Sequence, residues 1–542
     1  MSLQKLMKNL MVVIFIAIIA FFSFAQYKTV NNILEIGSQI KAPYISIIVY
    51  IVSIVVLISL FFVLKGILRA KDTSKKKIKI FEMLYLLLTF IIVRGTFGAL
   101  FLNRKIQLNE LMTMNKELIS LDVFANFLIA PLIKLIDKIF NFPMLSVYIF
   151  NTVLFGLATI IVANILKNIT KSNLAVNLGV FMYILVPKFM YESLKINVDI
   201  VSTLLILVSL NILFYILDEI KIIHGKSIKY LVLSVVLGYV FALFTYTVSY
   251  TFVWIIALIL IGLIIKNIDL VHMKFSKKTL RKLTSVQKAK LYKIEKVYIR
   301  KYVLVVVVTL VSLMIGKLLT DTTLSLITRK SFYGYKPKEI SSLFGTITEK
   351  FAREQMRDIN FAIEDKQKQT LNYNIGKSII DIIDLTSKGK LKEASNLSSS
   401  LEKTIKKPDN FKTRIKNDLN KTITIYKNDT NNVKILRDNV VKQNILKEIM
   451  ILSNIGYKLL FLAILLTEVL HIILRRKKGE KTVIIKIYSI MVILITFIFG
   501  SFTMSNITLT TLLILILFSN IIELYKNRQD KVKTLAEAKY NF

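Results

Sequence analysis

The sequence contains no cysteine and only three histidines among its 542 residues. The absence of cysteine excludes disulfides, thiolate zinc sites and cysteine nucleophiles. Three histidines leave little room for a histidine-rich metal centre. No P-loop, dinucleotide-binding glycine motif, HExxH motif or GxSxG motif occurs. The sequence therefore identifies no cofactor and no metal ligand. Binding of a divalent metal ion by acidic loop residues stays an alternative.

Acidic residues are also scarce, with 34 Asp and Glu against 74 Lys and Arg, a formal net charge of +40. In a soluble protein this balance would suggest a nucleic-acid partner. Here 54% of the residues are hydrophobic and apolar runs of 18 or more residues recur, matching the roughly 20 residues that cross a bilayer. The composition predicts an all-α polytopic membrane protein, with anionic lipids on its inner face and no nucleic acid as partner.

The basic residues cluster on alternate loops, which is the pattern that orients membrane proteins. Loop 65–79 holds seven basic residues and one acid, and loop 266–301 holds twelve and two. With these loops inside, about twelve transmembrane helices fit one orientation in a bacterial cytoplasmic membrane, with both termini cytoplasmic. Within 266–301, two interpretations stay open: a basic amphipathic helix on the inner leaflet, or a solvated connector.

The spans group into four predicted regions. Residues 1–80 form an N-terminal helical hairpin whose first span is either uncleaved, which we favour, or a signal peptide. Residues 81–320 form a transmembrane core. Residues 321–449 are the largest polar stretch, and their helical spacing predicts one mainly helical extracytoplasmic domain. Residues 450–542 form a C-terminal three-helix membrane segment.

Ionisable residues within a span are costly in a bilayer and therefore indicate function. Two such positions lie in the third and the tenth predicted spans. Arg94 lies two-thirds of the way outward along the third span, where Gly95 and Gly98 allow a close approach. Its guanidinium suits a phosphate; the alternative is a snorkelling or helix-pairing arginine. In the tenth span, Glu468 and His471 lie one turn apart and form either a polar pair or a neutralised helix end.

Four acids fall on the predicted outer side. Glu110, Glu117 and Asp122 lie in the first long outer loop, and Asp199 lies at the edge of the sixth span. A carboxylate in this position could accept a proton from an acceptor hydroxyl, as a general base does. The alternative is that the loop acids are solvated charges and that Asp199 is favoured by the helix dipole.

The block that carries these residues resembles the GT-C membrane glycosyltransferases, which use polyprenyl-phosphate sugars as donors. The resemblance lies in LDVFANFLIAPLIKLIDKIFNFPMLSVYIFNTVLFGLATIIVANIL, followed by NLGVFMYILVPKFMYESLKINVDIVSTLLIL. The spacing from Pro187 to Asp199 is similar to the family's P…D segment before its following span. The layout of a long outer loop, two spans with a short inner turn and a second outer acid is also shared.

The resemblance implies an enzyme that moves a sugar from a polyprenyl-phosphate donor to an envelope glycan, lipid or protein at the outer face. It implies catalytic roles for Asp122, Glu110 and Asp199, and contact of Arg94 with the donor phosphate. Glu117 is a further candidate for binding the substrate. Two alternatives remain: a non-enzymatic scaffold that binds a partner through residues 321–449, and a transporter or flippase.

Overall fold

A computed structural model describes residues 45–70, 74–102, 129–170, 172–194, 198–220, 228–247, 285–328, 363–364, 371–405, 480–499 and 506–540, with scattered positions between 445 and 473. All secondary-structure elements in these residues are helices, so the all-α prediction is confirmed for the described part of the chain. The predicted first span (11–24), the predicted eighth span (about 251–265) and the acids Glu110, Glu117 and Asp122 lie outside it.

Fourteen helices are numbered here in chain order. They are α1 (Ile45–Ala70), α2 (Lys75–Phe101), α3 (Ala130–Phe140), α4 (Pro143–Ile169), α5 (Asn173–Ile184), α6 (Pro187–Glu192), α7 (Val198–Ile220), α8 (Lys229–Thr247), α9 (Ser285–Thr328), α10 (Leu371–Ser387), α11 (Leu391–Ile405), α12 (Leu462–His471), α13 (Glu480–Phe499) and α14 (Asn506–Tyr540).

Six of these helices contain segments long and apolar enough to cross a membrane, namely Tyr50–Ala70, Lys76–Phe101, Pro143–Ile169, Ile200–Ile220, Arg300–Leu326 and Ile507–Tyr525. The chain therefore has the helices of a membrane-embedded protein. The total of twelve spans, the outer domain and the orientation remain predictions.

The spans differ in how deeply they are buried. In α14, 89% of the apolar window is buried inside the protein, against 11% in α1. A helix that is apolar on all sides is expected at the centre of a bundle. Accordingly α14 contacts α4, α5, α7 and α13, and its residues belong to the main apolar core. Helix α1 lies at the periphery, with exposed apolar side chains along its length.

Small residues bring α8 and α9 into close contact. A Cβ atom added at Gly238 of α8 would lie 2.5 Å from the carbonyl oxygen of Thr309 and 2.6 Å from the Cβ atom of Ser312, both in α9. Gly316, four residues after Ser312, lies against Tyr239 in the same way. Small residues spaced by four allow membrane helices to approach this closely.

The apolar run at about 174–194 is predicted as the fifth span. The structure interrupts it, so its prediction as one continuous helix was wrong. Helix α5 ends at Ile184, and α6 begins at Pro187. Proline has no N–H to donate and pushes the residue before it out of the helical region; Val186 is indeed extended. The Tyr50 hydroxyl donates a hydrogen bond to the carbonyl of Leu185, which satisfies a backbone group that the break leaves open.

Two helices continue well beyond their apolar spans. Helix α9 begins at Ser285, whereas its apolar segment begins at Arg300. Helix α14 continues to Tyr540, whereas its apolar segment ends at Tyr525. The helical interpretation of the basic stretch is thus confirmed for 285–301. Its placement on the inner leaflet remains a prediction.

Within the predicted outer domain, α10 and α11 form a helical hairpin. The turn between them contains Gly389 at a φ of 76°, a left-handed conformation that glycine adopts without strain. Ile375 and Ile382 of α10 and Leu391 and Leu401 of α11 are buried. This helix pair is the part of 321–449 that the structure describes in detail.

Candidate functional site

Arg94 lies in α2, seven residues before the helix ends at Phe101, or about 10 Å along the axis. Its side chain is buried, with 3% of the residue exposed. One guanidinium nitrogen, Nη1, donates to the carbonyl of Phe189 at 2.9 Å and to the hydroxyl of Ser193 at 2.6 Å. Arg94 therefore binds the interrupted segment directly, at the end of α6.

A short hydrogen-bond chain fixes this end of α6. The Ser193 hydroxyl accepts from Arg94 and itself donates to the Phe189 carbonyl at 2.7 Å. The amide nitrogen of Asn151, in α4, donates to the Ser193 carbonyl at 3.0 Å. Side chains from α2 and α4 thus satisfy backbone carbonyls at the end of α6, as irregular backbone at membrane depth requires.

Aromatic rings enclose the guanidinium. Its central carbon lies 4.7 Å from the ring centre of Phe155 and 5.6 Å from that of Phe90, both within cation–π range. The hydroxyl of Tyr148 donates to the Arg94 carbonyl at 2.7 Å. Tyr148 also packs against Gly98, where an added Cβ atom would lie 3.0 Å from its ring. The predicted close approach at Gly98 is confirmed, whereas Gly95 has no neighbour within 4 Å among the described residues.

The charge of Arg94 has no acidic partner in the part of the chain that the structure describes. The hydrogen bonds of its Nη1 go to neutral oxygens. Its buried Nε has no hydrogen-bond partner among the described residues. Cation–π contacts of about 2 kcal/mol each offset part of the cost of burying the charge. The guanidinium therefore keeps a donor to offer to an anion.

Arg94 contacts a residue that lies close in sequence to Asp199, one of the predicted catalytic acids. Arg94 contacts Ser193, and Asp199 follows six residues later as the second residue of α7. The backbone of Asp199 is described, but its side chain lies outside the described residues. The three loop acids, Glu110, Glu117 and Asp122, also lie outside the described residues.

Helix α3 matches the amphipathic run of the sequence. At 11 residues it is too short to span a bilayer. Leu132, Leu135 and Ile139 form an exposed apolar stripe at helical spacing, as in helices that lie at a membrane interface. Its end is fixed to α4, because the Ser146 hydroxyl donates to a carboxylate oxygen of Asp137 at 3.1 Å. The chain turns between them at Asn141, whose φ is 46°.

The sequence did not predict the correct partner of the buried residue Glu468. Glu468 of α12 forms a buried ion pair with Lys486 of α13, and Asn520 of α14 donates to the same carboxylate at 2.9 Å. The His471 ring lies 3.2 Å from the Asn520 carbonyl. The interpretation of Glu468 as a neutralised helix end was therefore wrong: its carboxylate is part of a buried interhelical network.

A second buried ion pair, between Lys65 and Glu82, joins α1 and α2. Lys65 was predicted to lie in the loop 65–79, but it lies in α1, which continues to Ala70. The signal that could have found it was an acid near the start of a span, facing a lysine across a short turn.

Metal binding has no candidate cluster here, since no group of three or more His, Cys, Asp or Glu residues occurs within the described ranges. Comparison of the chain with protein-family models, with curated protein sequences and with solved structures found no match. The geometry around Arg94 is therefore the feature from which a function can be proposed.

Proposed function

We propose that the protein is a membrane glycosyltransferase that moves a sugar from a polyprenyl-phosphate donor to a cell-envelope acceptor at the outer face. The observation that carries this proposal is Arg94, a buried cation without an acidic partner among the described residues and with an unpaired Nε. The donor phosphate is the anion that completes the site.

The cost of burial supports an anionic ligand. An arginine near the centre of a transmembrane helix costs about 2.5–3.5 kcal/mol on insertion scales, and such residues mark substrate pathways. A phosphate matches arginine well, because the guanidinium fork donates two parallel hydrogen bonds to it. Nη1 is already used by Phe189 and Ser193, so the phosphate would bind at the Nε edge.

The arrangement of elements supports a lipid-linked donor. A span (α2) is followed by an interfacial helix (α3), then a span (α4), an interrupted segment (α5 and α6) and a further span (α7). Interrupted helices at membrane depth commonly form substrate sites. A polyprenyl chain would stay in the bilayer beside this bundle while its phosphate reaches Arg94.

In the proposed reaction, an outer carboxylate removes the proton from the acceptor hydroxyl. The hydroxyl oxygen forms a bond with the anomeric carbon of the sugar, and the bond between that carbon and the phosphate oxygen breaks. Polyprenyl phosphate leaves with the bonding electron pair, and Arg94 stabilises its negative charge. Asp199, Asp122 and Glu110 are the candidates for the base, and Glu117 is a candidate for holding the sugar.

The test is lipid binding by the full chain in nanodiscs, measured by native mass spectrometry with a C55 polyprenyl phosphate and with the uncharged polyprenol. The proposal predicts that the phosphate binds at least about tenfold more tightly than the alcohol, and that Arg94→Gln removes this preference, since a tenfold change is about 1.4 kcal/mol. Equal binding of both lipids, or an unchanged preference in Arg94→Gln, would refute it.

Catalysis needs a separate readout. Membranes that contain the protein are supplied with a radiolabelled polyprenyl-phosphate sugar, and transfer to envelope material is followed. Activity that survives Ala at all of Glu110, Asp122 and Asp199 would remove the proposed base. If deletion of residues 331–449 alone abolished function in that case, the scaffold alternative would be the better account.

A further inference from the structure

Two hydroxyl groups beside Arg94 are not used by the proposed reaction. They belong to Tyr183 of α5 and Thr511 of α14, and each of these residues is 1% exposed. Within the part of the chain that the structure describes, neither hydroxyl oxygen has a hydrogen-bond partner. A buried hydroxyl without a partner loses the hydrogen bonds that it makes in water. Such groups are rare in native proteins, and two of them together indicate a binding site for a polar molecule.

Aromatic packing places Tyr183 next to the guanidinium group of Arg94. The ring centre of Tyr183 lies 4.9 Å from that of Phe189, whose carbonyl accepts from Arg94 Nη1 at 2.9 Å. The Phe189 ring centre lies 5.1 Å from that of Phe155, the ring closest to the guanidinium carbon. The Tyr183 hydroxyl is also close enough to Arg94 for an electrostatic interaction. It therefore shares the surroundings of the guanidinium, whose Nε is unpaired among the described residues.

Antiparallel packing of α5 and α14 brings Thr511 to the same place. A Cβ atom added at Gly179 of α5 would lie 3.4 Å from the ring of Phe518 in α14. Tyr183 lies four residues after Gly179, and Thr511 lies seven residues before Phe518. The hydroxyls of Tyr183 and Thr511 lie close to each other, but not in hydrogen-bond geometry. Hydroxyls from two different helices thus converge beside Arg94 without satisfying each other.

Thr511 and Arg94 both lie near the ends of their helices. Thr511 is four residues after Ile507, where the apolar segment of α14 begins, or about 6 Å along the axis. Arg94 is seven residues before Phe101, where α2 ends, or about 10 Å along the axis. The predicted orientation puts both of these helix ends on the outer side, which is the side of the proposed sugar transfer.

A phosphate can satisfy the three unpaired groups together. Arg94 Nε has one N–H to donate, and the hydroxyls of Tyr183 and Thr511 have one O–H each. The phosphate of a polyprenyl-phosphate sugar has two non-bridging oxygens that share a negative charge, and each can accept more than one hydrogen bond. Hydrogen bonds to a charged acceptor are roughly twice as strong as those between neutral groups. The two hydroxyls would therefore add to the preference of Arg94 for a phosphate.

We propose that the hydroxyls of Tyr183 and Thr511 donate hydrogen bonds to the non-bridging oxygens of the donor phosphate, beside Arg94. These roles rest on the proposed function and add two binding residues to the same site. Helix α14, which belongs to the predicted C-terminal membrane segment, then forms one wall of the donor site. When the bond between the sugar and the phosphate breaks, the phosphate gains negative charge, and both hydroxyls stabilise it by hydrogen bonding without transferring a proton.

The test measures the binding of C55 polyprenyl phosphate and of C55 polyprenol to the full chain in nanodiscs, by native mass spectrometry. Tyr183→Phe and Thr511→Val should each lower the preference for the phosphate at least about fivefold, as expected for a lost hydrogen bond to a charged group. Thr511→Ser keeps a hydroxyl and should keep the preference. The apparent melting midpoint should not fall in Tyr183→Phe or Thr511→Val, because each removes a buried hydroxyl that lacks a partner.

Matched controls make the same chemical changes at buried positions that the proposed site does not use. Tyr488→Phe removes a hydroxyl that is hydrogen-bonded to Ser209, so its melting midpoint should fall. Thr309→Val removes a buried hydroxyl without a partner in the described ranges, where α9 packs against α8, so its melting midpoint should not fall. Neither control should change the preference for the phosphate over the alcohol.

Three results would overturn the roles of the two hydroxyls. If Arg94→Gln removes the preference while Tyr183→Phe and Thr511→Val keep it, the proposed function stands and the hydroxyls do not bind the phosphate. If Tyr183→Phe or Thr511→Val weakens the binding of phosphate and alcohol equally, the hydroxyl is structural. If the unaltered protein shows no preference for the phosphate, the proposed function and the hydroxyl roles fail together.

Discussion

Two buried cations in the same helical bundle differ in their partners: Lys486 has an acidic partner, and Arg94 has none among the described residues. Lys486 lies in an ion pair with Glu468, and Asn520 donates to the same carboxylate. Arg94 is buried to a similar degree, but its described contacts are neutral oxygens and aromatic rings. A charge that is paired within the protein is explained by packing, whereas one without a counter-charge in the described residues is the position where we propose that an external anion binds.

The comparison also bears on the transport alternative, which acids buried within several spans would favour. Buried acids within the described apolar helices include Glu82, Asp321, Glu468 and Glu523. Of these, Glu82 and Glu468 each pair with a lysine on a neighbouring helix. Each pair lies a few residues from a helix end. These pairs join α1 to α2 and α12 to α13, and the simplest account of them is helix assembly.

The largest expected effect comes from breaking the paired site. Lys486→Met leaves the Glu468 carboxylate buried without its cation, which costs about 3–5 kcal/mol. The apparent melting midpoint in detergent, followed by fluorescence-detected size exclusion after heating, should fall sharply. Adding Glu468→Met should restore most of the loss, because the double variant buries no charge. A double variant no more stable than Lys486→Met would contradict the assignment of this pair as structural.

The next largest effect is expected on lipid binding when Arg94 is substituted. Arg94→Lys keeps the charge but loses the fork, so polyprenyl-phosphate binding should weaken about five- to tenfold, and Arg94→Gln should weaken it further. Stability should change less than in Lys486→Met, because no acid among the described residues is left unpaired. The Glu468→Met/Lys486→Met variant is the matched control, and its lipid binding should equal that of the unaltered protein.

A smaller effect separates the two hydrogen-bond networks. Asn520→Leu removes a donor to the buried Glu468 carboxylate, and a lost bond to a charged group costs about 1.5–3 kcal/mol. Asn151→Leu removes a donor to the neutral carbonyl of Ser193, which costs about 1 kcal/mol. Melting midpoints should therefore fall more for Asn520→Leu. The reverse order would mean that the end of α6 is held more tightly than the ion pair.

The smallest effect is expected for Tyr148→Phe. It removes the hydrogen bond to the Arg94 carbonyl at 2.7 Å but keeps the ring that packs against Gly98. A loss of about 0.5–1.5 kcal/mol follows, with little change in polyprenyl-phosphate binding, since the guanidinium contacts remain. A large loss of lipid binding with an unchanged melting midpoint would instead place the Tyr148 hydroxyl against the ligand.

The sequence predicted the helical membrane class because apolar run length alone determines it, and it identified Arg94 because a charge inside an apolar run is visible without a structure. It missed the interruption of the fifth span although Pro187 marks it, because the surrounding residues are apolar enough to read as one helix. It could not predict that Glu468 pairs with Lys486, since partners 18 residues apart meet only when α12 and α13 pack side by side.

The catalytic role of the predicted outer acids could not be determined from the sequence. Acid positions in a loop carry no periodicity, so sequence cannot say which of Glu110, Glu117 and Asp122 approaches Arg94. Asp199 is better placed, because the contact between Arg94 and Ser193 ties the preceding segment to α2. Its catalytic role remains a prediction that the transfer assay addresses.

The central claim is that a lipid phosphate neutralises Arg94. The most direct measurement is a cryo-electron microscopy structure of the full chain in nanodiscs that contain C55 polyprenyl phosphate. The account predicts phosphate density within hydrogen-bond distance of the Arg94 Nε, with the polyprenyl chain leaving the bundle laterally into the bilayer. A structure with the lipid phosphate bound elsewhere, or with Arg94 paired to a carboxylate of its own chain, would contradict it.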